Sequence, residues 1–182
     1  MRTGTKWKVI GVAALIGLAL STGLVRGDDP SAEARRGLAM APLPLNLRGK
    51  NRALVGLGSY IVNAQAGCND CHATEPHAPG GDPFLGQPKV INGDAYLLGG
   101  RAFGPFVSRN LRPEPPAGLP AGRSFGQFAQ IMRRGVDYDA AHPQISPLLQ
   151  VMPWPIYQEM TDRDLRAIYE YLSALPPAPS NP

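Results

Sequence analysis

Cys68-Asn69-Asp70-Cys71-His72 sets two thiols three residues apart, with an imidazole directly after them. On a helical turn, residues i and i+3 share a face. Both sulfurs can then reach one side of a flat ligand while His72 swings beneath it. That is the chemistry of covalent haem attachment, with two thioethers to the vinyl groups and an imidazole for the iron. Two other chemistries use a Cys-x-x-Cys. A structural zinc site needs about four Cys or His ligands, and these are the only two cysteines, so His77 or His142 would have to complete it. A thioredoxin-like dithiol sits beside a strand–helix unit, whereas the residues before Cys68 read as helix. The haem reading is preferred over both.

A haem iron has a second axial position. Met152, eighty residues beyond His72, is the best candidate, because His/Met is the usual electron-transfer pair. It lies in Val151-Met152-Pro153-Trp154-Pro155, where prolines limit backbone freedom and help hold a weakly bound thioether. The plain alternative is that Met152 fills a gap near Trp154. Met132 falls on the apolar face of a helix and is read as core. Met160 is explained by a staple before the last helix. His142 is the main competitor, and His77 follows His72 too closely to cross to the other face. Both are otherwise ordinary loop histidines. The ring of His72 is expected to donate its other N–H to a backbone carbonyl, from a loop near Pro79 or Pro83. Arg101, Arg109 and Asn110 are candidates to bind the haem propionates, against the reading that they are ordinary loop residues. Trp154 is a candidate pocket wall.

Several elements must position these groups. Asn51 to Gln65 reads as a helix, with Leu54, Leu57 and Ile61 at helical spacing. Gly58 inside it should let another element approach closely, and Gly67 breaks the pattern before the cysteines. Ala73 to Arg123 is long and rich in Gly and Pro. Such a loop is unusual in a compact domain unless something functional orders it, and a haem would do so. Phe84, Leu85, Tyr96, Leu97, Leu98, Phe103 and Phe106 are candidates to line it, with short extended pieces at Ala95–Leu98 and Phe106–Ser108. Ser124 reads as the N-cap of a helix carrying Phe125, Phe128, Ile131 and Met132, ended by Gly135. Thr161 and Asp164 resemble a capping box, and Met160 with Leu165 a hydrophobic staple. Leu165, Ile168, Tyr169 and Leu172 then form a buried stripe up to Pro176-Pro177.

The chain has 182 residues and a formal charge of +4. A basic start with Arg2, Lys6 and Lys8 leads into an apolar run, Val9 to Val25, before Asp28-Asp29. This is the layout of a signal peptide over residues 1–27. An uncleaved anchor through residues 9–25 is the alternative, at the short edge of what spans a bilayer. Either reading exports the domain to the periplasm. Without residues 1–27, 14 basic and 14 acidic residues remain. The high pI therefore belongs to the targeting segment and gives no support for nucleic-acid binding. Residues 28–50 read as a linker or wrapping arm, and 178–182 as a loose tail. No paired carboxylates, nucleophile–base pair or phosphate loop suggests an independent enzyme.

Together these residues resemble a class I cytochrome c over residues 51–177. The carriers are Gly67-Cys68-Asn69-Asp70-Cys71-His72, Ser108-Arg109-Asn110-Leu111, Met152-Pro153-Trp154-Pro155 and Thr161–Leu175. They resemble the bacterial haem c domains that serve dehydrogenases. The resemblance implies an all-α fold with long haem-wrapping loops. Its first and last helices would cross, with Gly58 and Tyr60 facing Tyr169 or Tyr171. It also implies one covalent haem c and a redox partner such as a dehydrogenase or oxidase. Two features depart from the family. Many relatives carry two or three haem domains, but this chain has one CxxCH. Its insert after His72 is also long. The competing function is a haem sensor or peroxidase-like protein with a displaceable sixth ligand.

Overall fold

The computed structural model describes Met1, residues 30–139 and residues 146–179. The signal-like segment and His142 lie outside the described residues. The rest is rich in helix, joined by irregular loops and two small antiparallel ladders, so it is not plainly all-α.

The helices form where the caps and apolar spacing direct. Helix α1 spans Pro30–Met40 and α2 spans Arg52–Tyr60. Asn51 caps α2 by accepting from Leu54 N at 3.1 Å. Helix α3 is the single turn Cys68–Cys71, and α4 is Phe125–Arg134. Ser124 and Gln127 form a full capping box on α4, and Gly135 ends it at φ +66°. A short α5, Trp154–Tyr157, follows the Met152 segment. The last helix, α6, spans Asp162–Ala174. Thr161 and Asp164 make the expected box on it, and Leu165 is fully buried behind Met160.

The core lies where α2 crosses α6. Val55, Val62, Leu165, Ala167 and Tyr171 are fully buried there. Gly58 permits the crossing: a Cβ on it would overlap the carbonyl oxygen of Ala167 and stand 2.8 Å from Tyr171 Cβ. Tyr171 is thus the tyrosine at this contact. Tyr169 instead packs edge-on against Phe125, with ring centroids 5.5 Å apart. Tyr60 departs from expectation, since its ring lies under the guanidinium of Arg36 on α1 at 5.9 Å.

Four further features have physical reasons. Residues 61–65 do not continue α2 but wind as a π-turn, Ile61–Gln65. There Asn63 Nδ2 reaches back to Ser59 O at 2.9 Å while Ala66 N donates to Ile61 O. The arm before residue 51 carries α1, which packs on α2, and Ser59 Oγ donates to Gly37 O at 2.7 Å in the buried contact. The arm continues along the core, where Asn46 N donates to Ala174 O at 2.8 Å. The strands are Ala102–Phe103 with Phe106–Val107 (β1, β2), and Pro113–Glu114 with Leu119–Pro120 (β3, β4). Ala95–Leu98 is a turn instead, with Leu97 at φ +57°. Finally, the chain end is pinned as far as Ala178. Arg112 donates to the carbonyls of Pro176 and Pro177, and Ala178 N to Pro113 O.

Candidate cofactor site

Gly67, at φ +59°, turns the chain out of the π-turn and into α3. Asn69 then locks α3 from inside. It is 4% exposed, donates to Pro76 O at 3.2 Å and accepts from Leu97 N at 3.0 Å. Cys68 and Cys71 both carry free thiols, one part-buried and one exposed. Burial pushes the Cys68 thiol up to about 12. A reactive redox cysteine needs a lowered value, which Cys68 does not have. His77, one of the two histidines that could complete a zinc site, lies 3.7 Å from Asp82, edge-on to Phe84, with a side chain only 10% exposed.

His72 Nδ1 lies 2.8 Å from the carbonyl oxygen of Arg109. A carbonyl only accepts, so Nδ1 carries the proton and Nε2 keeps its lone pair. Burial lowers the His72 pKa; the carbonyl bond opposes this and the Arg109 charge adds to it. The ring is thereby held neutral, as a metal ligand must be. The partner carbonyl comes from Arg109 and not from the Pro79 or Pro83 region. Gly99 makes this possible. Its N–H donates to His72 O at 2.8 Å, and any Cβ there would overlap the Ser108–Arg109 backbone.

Cys68, Cys71, His72 and Met152 line one cavity of about 460 Å³, within the range of small-molecule sites. Its other walls are largely apolar, including Val62, Phe106, Leu111, Phe128, Ile168 and Leu172. This donor set fits haem: two thiols beside one another, a neutral imidazole with a free nitrogen, and a soft thioether in an apolar slot. Met132 also lines the cavity while remaining a core residue at 4% exposure.

The other expected residues divide. Phe103 and Phe106 line the cavity. Tyr96 and Leu97 are fully buried but do not line it, and neither does Leu98. Phe84 and Leu85 are 87% and 73% exposed. They sit on the 3-10 turn Pro83–Leu85, capped by Asp82. Arg109 and Asn110 line the cavity; Arg101 and Trp154 do not. Arg101 donates to Asp70 O at 2.6 Å and stacks on Phe103. Trp154 Nε1 donates to Leu149 O at 3.2 Å, with the indole laid against Gly135. Asn110 is spent on a local turn with Arg112 and on Glu114 Oε1 at 2.8 Å.

Asp137, Asp139 and Arg123 line the cavity too, and sequence reasoning passed over them. Arg109 pairs with Asp137 at 2.7 Å and with Asp139 at 2.6 Å, and Arg123 also pairs with Asp139. Their only signal was the alternation Asp137-Tyr138-Asp139, which in extended chain sets both carboxylates on one face.

No protein-family model matches the chain. Curated relatives do. It is 29% identical over 121 residues to the gluconate 2-dehydrogenase cytochrome c subunit of Pantoea cypripedii, covering 66% of this chain and 23% of that protein. It is 30% identical over 128 residues to the cytochrome c subunit of the quinone alcohol dehydrogenase of Gluconacetobacter polyoxogenes, covering 69% and 25%. It is 29% identical over 126 residues to the fructose dehydrogenase cytochrome subunit of Gluconobacter japonicus, covering 67% and 21%. The chain spans about a quarter of the length of these relatives. The matches support a cytochrome c-type domain in this chain.

Proposed function

We propose that the chain is a periplasmic monohaem cytochrome c of class I that carries electrons and does no substrate chemistry of its own. It would serve a dehydrogenase or a respiratory chain. The observation that carries this reading is the convergence of Cys68, Cys71, His72 and Met152 on one apolar-walled cavity. The similarity to cytochrome c subunits of dehydrogenases supports it independently. The His72/Met152 ligand pair, the single haem, export through residues 1–27 and the cytochrome c fold itself are parts of the proposal.

When bound, haem c supplies a one-electron Fe(III)/Fe(II) couple. The residues do the rest. Cys68 and Cys71 tether one edge. His72 presents Nε2, its ring fixed by the Arg109 carbonyl. Met152 offers a thioether, which favours the reduced state and raises the potential. The apolar walls add to this, because the ferric centre carries one more positive charge and is harder to desolvate.

The test uses the full chain, purified after export in a host that attaches haem c. Haem should stay with the polypeptide through denaturation, and the reduced protein should not bind carbon monoxide. Extractable haem would sink the covalent assignment. Ready carbon monoxide binding would favour the sensor or peroxidase-like reading with a displaceable sixth ligand.

A further inference from the structure

Arg109 uses two separate parts of itself. Its carbonyl oxygen accepts from His72 Nδ1 at 2.8 Å. Its guanidinium grips Asp137 at 2.7 Å and Asp139 at 2.6 Å. The two carboxylates act as one receptor, since Asp139 N also donates to Asp137 Oδ1 at 3.0 Å. Arg109, Asp137 and Asp139 are each no more than about one-third exposed, so solvent screens these pairs less than it would at an open surface.

Asp137 belongs to the base of the loop that leads to Met152. Its N–H donates to Pro147 O at 3.2 Å, and Leu149 N donates to Gly135 O at 2.7 Å. Val136 and Leu148 form an antiparallel bridge between those two bonds. Leu149 O then accepts the Trp154 indole N–H at 3.2 Å, and Met152 O accepts the Trp154 backbone N–H at 2.8 Å. Hydrogen bonds joined by short lengths of main chain thus link the His72 ring, through Arg109, to the residue that carries the thioether.

We propose that Arg109 is a positioning residue that couples the two axial residues, orienting His72 through its carbonyl and holding the Met152 loop through its guanidinium. This rests on the reading that His72 and Met152 ligate haem iron. It also replaces the expected propionate role. A guanidinium already matched by two carboxylates is a tether to the loop and not an open anion receptor.

The carbonyl survives any side-chain substitution at 109, so the two halves of the device can be separated. The full haem-loaded chain is compared with Arg109→Gln, Arg109→Lys, Asp137→Asn/Asp139→Asn and the variant combining Arg109→Gln with both Asn changes. The readouts are the ferric absorption of the methionine-ligated iron and carbon monoxide uptake by the reduced protein, with circular dichroism reporting the fold. Arg109→Gln and the double Asn variant should each take up carbon monoxide, which the wild-type protein does not, and lose part of the methionine signature. The combined variant should do no more than either, as expected for one coupled interaction, and Arg109→Lys should recover part of the effect. Folded Arg109→Gln protein with wild-type spectra and no carbon monoxide uptake overturns the proposal. So does an effect of Arg109→Gln that the double Asn variant does not share, which would return Arg109 to the propionates. Carbon monoxide uptake by the wild-type protein overturns the ligand assignment, and the tether falls with it. That result is distinguishable because it precedes any substitution.

Discussion

Gly58 of α2 crosses α6 directly over Ala167, so near that a side chain at 58 would occupy the space of the Ala167 carbonyl oxygen. The obstacle is backbone, which cannot rotate away as a side chain would. Gly58→Val should therefore force the helices apart. Overpacking of this kind costs about 1–3 kcal/mol, which in a chain of this size lowers the melting temperature by roughly 2–12 °C. Thermal unfolding of the haem-loaded protein checks it. A melting temperature within a degree of wild type would mean the crossing is looser than described.

With Met152 as the proposed ligand, Met152→Ala should open the sixth position. The reduced variant is expected to bind carbon monoxide stoichiometrically while the wild-type protein does not, and its potential should fall because the thioether is lost. If the iron stays six-coordinate with unchanged spectra, another residue is the ligand. His142 is then the first to replace in a second variant.

Tyr96 should make the chain sensitive to alkali. Its hydroxyl donates to Asn63 Oδ1 at 2.6 Å and lies 2.7 Å from the Tyr171 hydroxyl. Burial raises its pKa, and Tyr171 adds to the rise. Burial raises Tyr171 as well, and pushes Tyr157 to about 12. Unfolded tyrosines ionise near pH 10. The stabilisation is thus fully present below that pH and is lost as pH rises above it, because the unfolded chain releases protons that the folded one keeps. Tyr96→Phe should cost about 1–3 kcal/mol at neutral pH through its abandoned partners and show a shallower loss above pH 10. Urea midpoints measured from pH 8 to 11 provide the comparison; parallel curves for the two proteins would contradict it.

Thr161 Oγ1 accepts from Asp164 N at 3.1 Å, and Thr161 N donates to Asp164 Oδ2 at 3.3 Å, closing the box at the start of α6. Thr161→Ala should destabilise the protein by about 1 kcal/mol, roughly 2–4 °C in melting temperature. Ile168 and Leu172 of the same helix wall the cavity, so a small spectral shift should accompany the loss. Denaturant titration followed by haem absorption reads both.

The sequence by itself determined what is local. A thiol pair at i and i+3 with an adjoining imidazole points to its proposed chemistry within five residues. Ser124, Thr161 and Gly135 mark their helix ends because caps act over three or four residues. Gly58 announced a close approach because a glycine inside a helix calls for a reason. Only the tertiary structure decided what depends on residues far apart in the chain. The carbonyl for His72 comes from Arg109, 37 residues away, and no local rule selects one loop carbonyl among many. The π-turn at 61–65 forms around Asn63, whose partners include Tyr96 and Tyr171. Hydrophobicity placed Phe84 and Leu85 at the cofactor, but they lie exposed on a turn capped by Asp82. Arg109 shows the difference most plainly. Its charge suggested an anion partner, and only the fold brings Asp137 and Asp139 to it first.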